Sequence, residues 1–294
     1  MDGRLIQLVL GGFATGSIYA ALALAIVLVN RATGMINFAQ GAMAVFSTYL
    51  AWVLVTSGMP PLVAIVVAVG ISFPFGALVE KVLIRRFELS DLQTAVVVSI
   101  ALFMFITGLI GLFWGYGTKQ FPSLFPAGAV QVGGVPIGIQ SIGTTIVVLA
   151  MVVALQLLFK GTKLGLALRA VADNQESSSY SGIPVKFMLL VGWGLAATLG
   201  ALAGVLVAPK VYLNPIMMDQ ILVYALAAVV LGGVNSPLGA VVAAWSIGII
   251  ENLAGAYVSF IGDDLKIAVP LIAMFLILLV RPQGLFGHKE VVRV

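Results

Sequence analysis

The chain has 294 residues, of which 61% are apolar and only 9% charged, with 15 Lys and Arg against 11 Asp and Glu for a net charge of +4. An ordinary soluble domain is about 25% charged; so few charges cannot cover a globule, which excludes a soluble enzyme, a nucleic-acid binder and a disordered chain. With no Cys and one His, His288, the chain also lacks the means for a disulfide framework, a thiolate metal site or His-based catalysis.

A bilayer core takes about 20 apolar residues per helix. In chain order, such runs fall at 5–29, 36–56, 61–83, 94–113, 138–159 and 187–207, followed by an interrupted stretch at 221–258 and a last run at 264–280. None alternates with period two, as a barrel strand would. Only helices then satisfy their own backbone in lipid. The expected fold is all-α: a polytopic membrane helical bundle of about 8–9 transmembrane helices with two interrupted segments. It forms a single domain over 1–294 that includes the loop 160–186. Met1-Asp2-Gly3-Arg4 has no clear basic lead or cleavage site, so the first run reads as a retained span.

Lys and Arg set the orientation. Lys81, Arg85 and Arg86, then Lys160, Lys163, Arg169 and Lys186, then Arg281, Lys289 and Arg293 mark three cytoplasmic segments, whereas 114–137 carries only Lys119 and is expected outside. An even number of crossings must separate 160–186 from the tail. That requires splitting 221–258 at Gly232-Gly233-Val234-Asn235-Ser236-Pro237 and makes 221–233 a half-helix ending in a break at membrane depth. The other break, Asn30 to Met35, precedes Ile36-Asn37-Phe38-Ala39-Gln40-Gly41, and counting back puts the N-terminus outside unless 36–56 is re-entrant. Tyr19–Leu28 and Tyr224–Leu231 both open Tyr-Ala ahead of a break, as a diverged repeat would.

Paired interrupted segments point to a transporter's central site. Asn37, Gln40, Asn235 and Ser236 either offer amide and hydroxyl groups to a polar solute or satisfy backbone freed by the breaks. Gly41, Gly232 and Gly233 let a second backbone or the solute come close. Glu251 lies inside a span, where a carboxylate faces the bundle interior or water. It is a pathway contact, an anchor for the broken helix, or a residue in headgroup water.

The loop 160–186 carries helix punctuation. Lys163–Ala172 predicts one short helix, Asn174 or Asp173 caps a second that runs to Tyr180, and Gly182 stops it ahead of Pro184. Capped amphipathic segments on the cytoplasmic face suit docking by another protein better than a bare connector does.

The spacing Glu176-x-x-x-x-x-Gly182, preceded by Gly165-x-x-x-Arg169-Ala170, resembles the coupling loop of ATP-binding-cassette importer permeases. Gly34–Gly41, Gly232–Gly239 and Arg281–Gly287 are similar to three ordered signatures of one branch, the branched-chain amino acid permeases, of the type that pairs with a second homologous permease. Ser177 and Ser178 replace two alanines usual in that family, Ser181 replaces a larger apolar residue, and Gln40 and Ala42 replace a His and a Glu, which bears on the solute carried. The resemblance implies a multi-pass subunit of the bacterial inner (plasma) membrane. It would translocate branched-chain amino acids delivered by a solute-binding protein, driven by separate ATPase subunits. Urea, short amides or other amino acids are the alternative cargoes, and a stand-alone channel or secondary transporter the alternative mechanism. Gly165, Arg169, Ala170, Glu176, Ser177, Ser178 and Gly182 would form the dock, and Asn37, Gln40, Gly41, Gly232, Gly233, Asn235, Ser236 and Glu251 the pathway, at an interface with the second permease. No Gly-x-x-x-x-Gly-Lys-[Ser/Thr] phosphate loop occurs. No catalytic set, cofactor or metal site is expected, and membrane lipid, not nucleic acid, surrounds the chain.

Overall fold

A computed structural model describes residues 3–87, 92–132, 135–258, 265–281 and 283–286. Pro282, Gly287, His288, Lys289 and Arg293 lie outside the described residues. The elements in order are α1 (Gly3–Thr33), α2 (Gln40–Thr56), α3 (Pro61–Val82), a 3-10 turn (Ile84–Phe87), α4 (Leu92–Trp114), β1 (Ala129–Val132), β2 (Val135–Gly138), α5 (Ile139–Gly161), α6 (Lys163–Asp173), α7 (Gln175–Tyr180), α8 (Val185–Val211), α9 (Asp219–Gly232), α10 (Pro237–Tyr257) and α11 (Ala268–Val280). Among the described residues, six helices are long and apolar enough to cross a membrane: α1, α3, α4, α5, α8 and α10; α2, α9 and α11 are shorter apolar helices.

The apolar runs set these elements, and local chemistry trims them. The run expected from 36 starts as helix at Gln40, because the Asn37 side chain holds the preceding turn. The 14 residues of α9 extend only about 21 Å, less than the hydrocarbon core, as expected of a half-helix. Within 114–137, expected as loop, β1 and β2 form an antiparallel hairpin from Ala129↔Gly138 to Val132↔Val135. Four-residue strands are too short for a period to register in the sequence.

The chain divides into two compact units. Unit 1 comprises 1–27, 125–152 and 223–294, and unit 2 comprises 28–124 and 153–222. In unit 1, α1 and α10 cross at small residues. A Cβ on Gly12 would stand 2.6 Å from the Gly248 carbonyl oxygen, and one on Gly16 the same distance from that of Ala244. Such stripes let helices pack closely in lipid, where apolar side chains gain nothing by leaving the solvent. Phe13 stacks on Trp245 at 4.4 Å, and the Trp245 indole N–H donates to Ser17 Oγ at 3.0 Å, so both ends of that ring are placed.

In unit 2, α8 is the central helix, packed against α2 and α3. Its buried Trp193 presents a carbonyl oxygen 2.5 Å from where a Cβ on Gly76 of α3 would stand. The two ends of α2 meet different segments. Just before it, Gly34 lies against Ala172 of α6, where an added Cβ would stand 3.4 Å from the carbonyl oxygen. Toward its far end, Trp52 takes the Lys119 ammonium over its ring at 4.8 Å, and Tyr49 stacks on Trp114 at 5.1 Å.

Candidate functional site

The segment 161–185 folds as its punctuation requires. Thr162 caps α6, its Oγ1 accepting from Gly165 N at 2.9 Å. Gly165, Leu168 and Val171 are buried along one face, at the i, i+3 spacing of a helix lying on a surface. A Cβ on Gly165 would stand 2.6 Å from Phe159 Cα, so glycine lets α6 fold back on the end of α5. Asn174 caps α7, its Oδ1 accepting from Ser177 N at 2.8 Å, while its own N–H closes α6 on Ala170 O at 3.0 Å. Asp173 is the last residue of α6 and caps nothing. At the far end, Ile183 N donates to Ser178 O and Gly182 N to Ser179 O, with Gly182 at φ +80°. This 6→1 and 5→2 pair is the left-handed helix stop that glycine adopts without strain.

All seven expected docking residues therefore have definite local settings. Gly165 packs on α5, Ser178 is buried, and Ser177 and Gly182 shape the ends of α7. Glu176 is exposed and accepts from Tyr180 Oη at 3.0 Å. Arg169 Nε donates to Gly165 O at 3.4 Å. Ala170 contributes its carbonyl to the α6 stop. Beside this corner lies an open cleft of about 1280 Å³, lined by Thr33, Met35, Glu80, Arg85, Glu176 and Trp193 among others. Glu80, which the sequence reading passed over, is buried and receives Arg85 Nη2 at 2.6 Å and Nε at 3.0 Å; Arg85 also donates to Lys186 O at 2.9 Å. The fork-on-carboxylate geometry ties the end of α3 to the start of α8. Glu at the helix end five residues before Arg was its only trace in the sequence. Arg31 stands over the buried Phe159 ring at 4.6 Å.

At the first break, in unit 2, Asn37 Oδ1 accepts from Ala39 N at 2.9 Å, and its Nδ2 donates to Gln40 Oε1 at 3.1 Å. Gln40 Nε2 donates in turn to Ala196 O of α8 at 2.8 Å. Both residues are buried, and their amides are engaged with the chain itself. At Gly41 an added Cβ would meet Met218 at 3.4 Å, an ordinary contact.

At the second break, in unit 1, Gly233 adopts φ +98° and its carbonyl accepts from Ser236 N at 2.9 Å. Ser236 Oγ caps α10 by accepting from Gly239 N at 3.0 Å, whereas Asn235 is exposed. Gly232 lies against the backbone of Gly239, so the backbone that glycine admits there belongs to this chain. The residues after α11 return to the end of α9: Leu285 N donates to Leu231 O at 2.8 Å and Phe286 N to Gly232 O at 3.2 Å. A break expected at membrane depth thus sits against the segment that directly follows α11.

Glu251 is buried, not in headgroup water, and accepts from Tyr19 Oη at 2.8 Å and Tyr224 Oη at 3.2 Å. These are the first residues of the two similar runs, and their rings stack at 4.4 Å with 2° between planes. No group of three His, Cys, Asp or Glu able to hold a metal ion occurs among the described residues.

The family model described as "Branched-chain amino acid transport system / permease component" matches residues 8–279. The high-affinity branched-chain amino acid transport system permease protein LivH of Escherichia coli (strain K12) is 30% identical over 98% of this chain and 97% of its own. The corresponding protein BraD of Pseudomonas aeruginosa is 28% identical over 98% of each. The probable LivH of Methanocaldococcus jannaschii is 29% identical over 94% of this chain and 91% of its own. An apolar helical chain with two interrupted segments and a match of this extent belongs to the branched-chain amino acid permease family.

Proposed function

We propose that this permease is the membrane-spanning subunit of an ATP-binding-cassette importer in the bacterial inner (plasma) membrane. It takes branched-chain amino acids from a solute-binding protein and works beside a second, homologous permease subunit. ATP hydrolysis belongs to separate ATPase subunits, and this chain is the transport part. The observation that carries the proposal is the corner between α6 and α7, two capped helices that present exposed residues around Glu176 next to an open cleft. It rests on the family membership of nearly the whole chain.

The corner is the ATPase dock. Arg169 and Glu176 supply polar contacts, and Gly165, Ala170, Ser177, Ser178 and Gly182 give it its shape. The solute path is assigned to the two breaks, Asn37–Gly41 and Gly232–Ser236, because paired interrupted helices mark a transporter's central site. Apolar lining suits a branched side chain, and cargo choice is left to the binding protein.

The test is uptake of labelled leucine by the complete importer in proteoliposomes. A Cβ at Gly182 meets nothing within 4 Å, so Gly182→Val acts through its positive φ alone. It is expected to let ATP hydrolysis continue while uptake falls. The chain has no Cys, so a Ser179→Cys variant, at an exposed position of α7, gives a clean labelling background. Labelling only from outside the cell would overturn both the topology and the dock.

A further inference from the structure

We propose that Glu251 is a positioning residue for transport, the carboxylate that joins the half-helix α9 to α1 through two stacked tyrosines. This rests on the importer reading and adds a part to it. Three helices converge on one carboxylate: α10 carries it, α1 donates to one oxygen through Tyr19, and α9 donates to the other through Tyr224. A carboxylate is the side chain that offers two acceptors and no donor, which matches two phenols arriving from different helices. The three side chains are 7%, 6% and 1% exposed. Each oxygen receives a phenol within a buried cluster, so Glu251 holds helices in place instead of meeting solute.

The three helices are not equally secured without it. Close glycine contacts and the Trp245–Ser17 hydrogen bond already hold α1 to α10. Within unit 1, α9 is held at its last turn by Leu285, Phe286 and the close contact of Gly232 with Gly239, and farther from the break by Tyr224, which stacks on Tyr19 and donates to Glu251. Losing the carboxylate therefore frees α9 more than α1, and α9 carries the break Gly232–Ser236 at its end.

The experiment reconstitutes the complete importer with Glu251→Leu, Glu251→Gln, Tyr19→Phe and Tyr224→Phe, and measures assembled complex, leucine uptake and leucine moved per ATP. Glu251→Leu and Tyr224→Phe are expected to lower leucine moved per ATP by about tenfold, the weight of one buried charge-assisted hydrogen bond. Tyr19→Phe is expected to lower it less. Glu251→Gln keeps an acceptor for one phenol and an amide donor for the other, and is expected to restore most of the loss seen with leucine. A purely structural role would instead lower the yield of complex in all variants and leave the ratio of leucine to ATP unmoved, which would overturn the proposal. So would a glutamine variant as impaired as the leucine one, or Tyr19→Phe worse than Tyr224→Phe. Because Tyr224→Phe removes one hydroxyl and no volume, the proposal stays testable where Glu251→Leu fails to assemble. Absence of ATP-driven uptake by the unsubstituted complex would refute the importer reading and not this part of it.

Discussion

The two breaks carry the same string, Asn-x-x-x-Gly, at Asn37–Gly41 and Asn235–Gly239, yet they are built differently. In the first, side-chain amides close the gap: Asn37 turns the chain, and Gln40 reaches across to Ala196. In the second, backbone does most of the work: Gly232 lies on Gly239, and the chain after α11 supplies N–H groups to the last carbonyls of α9. Ser236, one residue later than the matching Asn, takes over the cap, and Asn235 is exposed. Buried helix ends must find partners for their unpaired groups, and identical residues at equivalent positions need not be the ones that provide them.

Four substitutions sharpen or break this contrast. The largest effect is expected for Gly284→Val, where φ is +78° and an added Cβ would stand 2.6 Å from Gly233 N and Val230 O. Backbone strain and overpacking together should cost about 2–6 kcal/mol, seen as a lower thermal midpoint and lower yield of the detergent-solubilised complex. A variant as stable as the parent would show that the strap after α11 is dispensable. Next comes Gln40→Leu, which removes the side-chain donor to the Ala196 carbonyl and the amide acceptor of Asn37 Nδ2, for about 1–3 kcal/mol by the same measurement. If it were neutral, the first break would be held by backbone like the second. Smallest is the pair at the second break. Ser236→Ala should cost about 1 kcal/mol as a lost helix cap, while Asn235→Ala should stay within about 0.5 kcal/mol, as exposed positions do. The reverse order would mean that the two strings work alike after all.

What could be read beforehand follows the range of the forces involved. Apolar runs located the helices of both units because burial in lipid acts on every residue of a span. Asn174, Gly182 and the glycine pair at 232–233 were legible because caps and positive-φ turns involve residues a few positions apart. Glu251 was singled out as a carboxylate within a span, but its partners were not. Tyr19 is 232 residues away, and no local pattern encodes such a meeting. The Glu80–Arg85 pair, the Thr162 cap and the hairpin 129–138 escaped for smaller reasons: one residue type at one helix end, or strands too brief to show alternation. The strap Leu285–Phe286 was visible only as a motif, and its partner in α9 came from the fold.

Asn174 has a mechanical consequence. Its N–H ends α6 and its side chain starts α7, with backbone angles of −156° and 107°, so the two rods share one joint and have no linker between them. A load placed on α7 finds no slack to take up. It passes into α6 as torque about two torsions of a single residue, and from there, through the backbone contact at Gly165, into the end of α5. Such a corner behaves as a bell crank, turning a sideways push on the surface into displacement of a long rod. Its stiffness is set by one amide side chain.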